Sequence, residues 1–191
     1  CSSDLRDFRD NFAAEIWTGL GMGGNAEIFA LSELPVAVIV LATLSLLMFI
    51  RDNRQAFMAN LLLVAVGFCL AGAASVLFQV HLIGPVTWMI TLGAGLYLSY
   101  TPFNAILFDR FIAASGRAGT AGFLMYLADS FGYAGSVLLL VVRNFMDLSL
   151  SWVDFLILLS YAVAVGGLAL VILAAIYFRR RLSRETAPEA G

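Results

Sequence analysis

The chain has no lysine, one histidine and two cysteines, and only 13% of its residues are charged. That scarcity of charge argues against an ordinary water-soluble domain, in which roughly a quarter of the residues would be charged. Cys1 and Cys69 provide neither a disulfide framework nor metal-ligand spacing. Cys69, between Phe68 and Leu70, reads as a small apolar residue. All 11 cationic side chains are arginines split among short loops, so no continuous basic patch forms and nucleic acid is not expected as a partner. Catalytic signatures are missing too: there is no Ser-His-Asp context, His-Glu-x-x-His, P-loop or Gly-rich dinucleotide turn. Neither enzymatic activity nor a cofactor is expected.

What the chain has is apolar length. It is 61% hydrophobic with a mean hydropathy of +0.92. Arginine falls in clusters, Arg6/Arg9, Arg51/Arg54, Arg110/Arg117 and Arg179/Arg180/Arg181/Arg184, with only Arg143 apart from them. Each gap between clusters holds two nearly uncharged segments of crossing length, so every cluster returns to the same side. Lys and Arg are enriched in cytoplasmic loops, which puts the clusters, and both ends of the sequence, inside the cell membrane. A bilayer core takes about 20 helical residues. The spans are expected at about 7–22, 28–50, 56–79, 86–108, 120–142 and 152–178. They are too long and too continuously apolar for barrel strands, so the expected fold is all-α, a polytopic bundle of six transmembrane helices with lipid as a partner.

Punctuation supports this division. Gly19-Leu-Gly-Met-Gly-Gly24 breaks the first span; it superficially resembles a phosphate cradle but sits at an outer turn. His81-Leu-Ile-Gly-Pro85 forms another outer turn. Trp88 and Trp152 fall at outer ends and Tyr177 at an inner one, where amphipathic rings favour the interface. The polar tail, 183–191, is expected to be disordered. Cys1-Ser-Ser-Asp-Leu5 matches what the end of a common sequencing adapter encodes, so residues 1–5 are expected to be extraneous, with the natural protein continuing upstream.

Ionisable groups within a membrane usually face a bundle interior or an aqueous cavity. Asp129 lies about 14 Å along its helix from Thr120, near the midplane. It shares a polar stripe with Tyr126, Ser130, Tyr133 and Ser136, while Gly122, Gly132 and Gly135 permit close helix approach. Asp129 is either a proton carrier or cation partner in a cavity, or a structural acid bonded across an interface. Glu15 is either a gate or part of a short ion-pair network with Arg9 and Asp10. Glu33, before Pro35, is either a site residue or an acid solvated at the interface. Tyr97, Tyr100, Thr101 and Asn104 share a face beside Pro102, which frees a carbonyl in the preceding turn; this reads as a site or as a packing kink. Arg51-Asp52-Asn53-Arg54, Asp109-Arg110 and Arg117 could pair as a cytoplasmic gate or simply cap helices.

Several stretches carry a resemblance. Acidic-arginine loops follow the second and fourth spans, and Arg117-Ala-Gly-Thr-Ala-Gly122 opens the fifth. The arrangement resembles the carboxy-terminal six-helix half of a major facilitator superfamily transporter. Arg6-Asp-Phe-Arg-Asp-Asn-Phe-Ala-Ala-Glu-Ile-Trp17, Ser32-Glu-Leu-Pro35 and Tyr126-Leu-Ala-Asp-Ser-Phe-Gly132 look more specifically like an uncharacterised bacterial family of major-facilitator-like proteins. The loop after the second span keeps the superfamily's charge but lacks both of its glycines. The resemblance implies a secondary transporter of a small solute, with a missing amino-terminal six-helix half as partner. Asp129, Tyr126, Tyr133, Tyr100 and Asn104 would then line the cavity, with Glu15 and Glu33 as further pathway candidates. The alternative is a membrane protein with a structural, assembly or sensing role.

Overall fold

The computed structural model describes residues 2–23, 27–102, 112, 121–145 and 151–184. The described residues are helical, without a strand. The elements are α1 (Ser2–Asn11), α2 (Ala13–Gly19), α3 (Glu27–Met48), α4 (Asn53–Gln79), α5 (Pro85–Pro102), α6 (Ala121–Phe145) and α7 (Trp152–Arg184). Their starts follow local chemistry. Asp52 caps α4 by accepting from the backbone N–H of Arg54 at 2.8 Å and of Gln55 at 3.4 Å. Pro85 opens α5, where its missing N–H costs nothing. Ser151 and Asp154 bond reciprocally at the start of α7, at 2.6 and 3.1 Å.

The first expected span is a broken helix. Phe12 leaves helical geometry (φ −110, ψ 23), yet hydrogen bonds from Phe12 N to Phe8 O and from Ile16 N to Phe12 O, both 3.0 Å, carry the chain through. Gly21, at φ +77, then ends α2 in the left-handed region that glycine adopts freely. Residues 2–5 form the first turn of α1, with Leu5 buried.

Among the described residues, three helices are long and apolar enough to cross a membrane: Glu27–Met48, Asn53–Gln79 and Trp152–Phe178. Six were expected. α1 and α2 fall short because they are brief, split, and carry Arg6, Asp7, Arg9, Asp10 and Glu15. The described part of α5 is 18 residues long and is diluted by threonines, tyrosines, a serine and two prolines. Asn104, Asp109, Arg110 and Arg117 and the tail from 185 lie outside the described residues.

α4 packs on α5 and on α7, α5 packs on α3, and α1 packs on α5, α6 and α7. The α4 and α5 backbones touch at Gly67 and Gly95. A Cβ on Gly67 would lie 2.5 Å from the Gly95 carbonyl oxygen, and one on Gly95 would lie 2.8 Å from the Ala71 nitrogen. Only hydrogen fits at either position, which is how small residues let helix backbones touch. Gly167 of α7 similarly admits the Phe68 ring.

The main core joins Phe8, Ile16 and Trp17 to Leu92 and Leu96 of α5 and to Phe155 and Leu156 of α7. Trp88, expected at the interface, belongs to this core. It is fully buried, stacked on Phe78 with centroids 4.3 Å apart, and its Nε1 donates to Ser75 Oγ at 3.3 Å. A buried partner for the indole N–H removes the need for interfacial water. Large apolar side chains such as Leu31, Leu41, Phe49, Leu62, Val165 and Leu173 face outward. An apolar exterior of this kind is what a lipid-facing surface requires, and the three long apolar helices mark a membrane association.

Candidate functional site

The polar concentration of the bundle lies where α1 meets α3 and α5. The sequence reading places Arg9 in a cytoplasmic cluster and Glu33 near the opposite end. The structure brings them together. Arg9 Nη2 donates to Glu33 Oε1 at 2.6 Å and to the Met89 carbonyl at 3.3 Å, while Nη1 donates to Asp10 Oδ1 at 2.7 Å. Arg9 is 1% exposed, so it occupies the helix packing rather than a loop. The reason is periodicity: Leu5, Phe8 and Arg9 share the buried face of α1, and the apolar pair draws the arginine inward with it.

Two features accommodate a buried guanidinium. Gly93 of α5 leaves the space it fills, since a Cβ there would stand 2.8 Å from Arg9 Nη2. Two carboxylates and a carbonyl supply acceptors, which a buried charge needs. Arg9 Nε has no partner among the described residues. Ser32 Oγ also reaches Glu33 Oε1, at 3.4 Å.

The network extends along α1. Tyr97 OH donates to Asp10 Oδ2 at 2.8 Å. Arg6 donates to Asp7, and its guanidinium stacks over Tyr100 at 4.1 Å and more distantly over Tyr97 at 5.7 Å. Thus α1 contributes four charges, α3 one acid, and α5 two tyrosines. The acids look outward: side-chain exposure is 46% for Glu33 and 35% for Asp10.

Of the residues singled out in the sequence, Arg9, Asp10, Glu33, Tyr97 and Tyr100 join this network. Glu15 is exposed on α2 and takes no part in it. Tyr126 and Tyr133 face outward from α6, and Asp129 is half-buried there. Ser130 Oγ is satisfied within its own helix, donating to the Tyr126 carbonyl at 2.7 Å. In the expected gate, Asp52 serves as the helix cap, with Arg51 exposed and Arg54 half-buried beside it. Arg9 and Asp10 do pair, but together with Glu33 and Tyr97 and not with Glu15, and the burial of Arg9 is what the sequence reading missed. The available signal was the i, i+3, i+4 pattern of Leu5, Phe8 and Arg9, which turns the arginine toward the core.

A pocket of about 630 Å³ opens at the far end of the bundle, lined by Gly19, Leu20, Phe78, His81, Pro85 and Asp154 among others. His81 has φ +58 in the turn that forms its rim.

No curated protein and no solved structure matches this chain. One protein family does, over residues 2–181, and it has the uncharacterised standing that the resemblance implied. The chain is a member of DUF5690, a family of unknown function.

Proposed function

We propose that the chain is part of a secondary transporter of a small solute, built as one six-helix half of a major-facilitator-type bundle. On this reading the protein lies in the inner membrane, with both ends of the chain cytoplasmic. A second six-helix half of the same protein forms the opposite wall of the cavity. No step is enzymatic.

The observation that carries the proposal is the Arg9 network. Two arginines, three carboxylates and two tyrosines from three helices meet inside an otherwise apolar bundle. Charges within a membrane-embedded helix bundle are costly and mark solute or ion pathways. Here the cost is offset by mutual pairing, while the outward carboxylate faces stay available for a solute. Asp129, half-buried on α6 beside α1, is the candidate coupling group.

Reconstituting the full-length protein in proteoliposomes and screening solute uptake tests this reading. Glu33→Gln should lower uptake at least tenfold, and Asp129→Asn should abolish its pH dependence. Uptake equal to that of empty vesicles across the library overturns the transport reading; pH-dependent uptake by Asp129→Asn rejects the coupling role alone.

One observation favours a second reading, a membrane protein used for assembly or sensing. Tyr126 and Tyr133 point away from the network, so α6 presents an aromatic face. Such a face suits a partner helix as well as a cavity.

A further inference from the structure

We propose that the pocket between His81 and Asp154 binds a neutral, hydroxyl-bearing amphiphile, with the imidazole and the carboxylate as its hydrogen-bonding partners. The site shares no residue with the Arg9 network and does not depend on transport.

Two helices end at this pocket in the same way. α2 closes through Gly21 N to Thr18 O at 3.0 Å and Met22 N to Trp17 O at 2.8 Å, and α4 through His81 N to Phe78 O at 3.0 Å and Leu82 N to Leu77 O at 2.9 Å. Both are Schellman turns, in which the residue after the cap adopts a positive φ. α2 places glycine there, at φ +77; α4 places His81, at φ +58, the one non-glycine among the described residues with a positive φ. A side chain is strained in this conformation, and glycine would close the turn without that cost. The turn therefore does not explain the imidazole. A residue held against its backbone preference at the rim of a cavity points to a function for its side chain. Among the described residues no hydrogen bond or ion pair engages the imidazole, so both ring nitrogens are available.

The walls are fixed by contacts of their own. Phe78 is stacked on the buried Trp88, and Tyr161 of α7 donates to Gln79 Oε1 of α4 at 2.6 Å. Val153 of α7 closes against the end of α2, where a Cβ on Gly19 would stand 3.2 Å from its Cγ2. The cavity between them, about 630 Å³, has the size of sites that hold small organic molecules.

The lining sets the class of ligand. Leu20, Phe78, Ile83 and Val153 supply an apolar wall that hydrocarbon would cover. Asp154 Oδ2 accepts from Ser151 at 2.6 Å, which leaves Oδ1 as an acceptor, while a neutral imidazole offers one donor and one acceptor. A hydroxyl both donates and accepts, so one such group can bond the carboxylate and the imidazole together. Net charge of either sign fits less well. An anion would face Asp154. A cation would face the positive ends of α5 and α7, both of which begin at this pocket, and the start of α7 already balances the Asp154 charge.

The test uses the full-length protein in lipid nanodiscs, labelled with [13C]histidine and titrated with hexane-1,2-diol, hexylammonium chloride or sodium hexanoate. The three probes share one hydrocarbon length and differ in the charge of the head group. The ring signal of His81 is identified as the one absent from His81→Gly. The expected result is a saturable shift of that signal with the diol alone, accompanied by a saturable rise in Tm. The half-saturation of the Tm rise should move upward about tenfold in His81→Gly and in Asp154→Asn. Without any probe, His81→Gly should melt higher than the wild type, because glycine relieves the turn. If that variant does not fold, His81→Asn, which also tolerates a positive φ, takes its place in the titration. No shift with the diol, a shift that does not saturate, an equal or larger saturable shift with either charged probe, or an unchanged titration in the folded variants overturns the assignment. A lower Tm for probe-free His81→Gly makes the imidazole structural and overturns it too.

Discussion

Tyr97 and Asp10 are separated by 87 positions in the chain and by 2.8 Å in the structure, the phenol donating to Oδ2 while Arg9 holds Oδ1. The bond ties α5 to the charged face of α1. Tyr97→Phe keeps the ring and removes the donor, and should cost about 0.5–1.5 kcal/mol. Denaturant unfolding of the purified protein measures it. A double-mutant cycle with Asp10→Asn should show coupling of similar size; additivity of the two changes rejects the bond.

Removing the guanidinium is more severe. Arg9→Met leaves Asp10 and Glu33 facing one another without their shared cation. Breaking a buried pair costs about 3–5 kcal/mol, and the lower end applies because both acids are partly exposed. Arg9→Lys should recover only part of this, since an ammonium cannot reproduce the fork that reaches two carboxylates and the Met89 carbonyl. Combining Arg9→Met with Glu33→Gln should be less harmful than Arg9→Met alone. The same unfolding assay ranks the three.

At the α4–α5 crossing the prediction is steric. Gly95→Leu cannot be accommodated, because even a Cβ would stand 2.7 Å from the Gly67 carbonyl oxygen. Overpacking of about 1–3 kcal/mol is the minimum expected. Gly84, where nothing lies within 4 Å of an added Cβ, should tolerate alanine. Thermal denaturation of both variants checks the contrast, which disappears if the crossing is loose in the native protein.

The proposed orientation makes a prediction of its own. Thiols introduced by Asn53→Cys, Ser115→Cys and Glu185→Cys should resist a membrane-impermeant reagent added outside intact cells, and react after permeabilisation. Labelling of all three from outside inverts the orientation.

Much of the helix layout was legible because hydropathy and punctuation are local. The expected 28–50, 56–79 and 152–178 segments correspond to Glu27–Met48, Asn53–Gln79 and Trp152–Arg184, with starts within three residues. Asp52 and Pro85 mark two of those boundaries by capping chemistry alone. The site was less legible because its defining contacts are tertiary. Arg9 and Glu33 sit 24 positions apart in sequence, and a rule that counts arginines by side of the membrane does not tell which side chain each of them meets. Trp88 shows the same competition: the statistics of interfacial indoles yield to Ser75 and Phe78, which offer its ring and its N–H a dry partner. Glu33 and Tyr100 were recognisable as polar groups in apolar segments, but their partners were not.

The glycine contact between α4 and α5 also bears on motion. Two backbones that touch without intervening side chains have no slack to slide or tilt, so these helices behave as a single beam. α1 meets that beam through ion pairs and tyrosines and through Leu5 and Phe8 in the apolar core, and α6 packs mainly on α1. Any displacement of α1 from the beam would therefore have to break the ion pair of Arg9 with Glu33 and open the apolar contacts of Phe8 and Phe12 together.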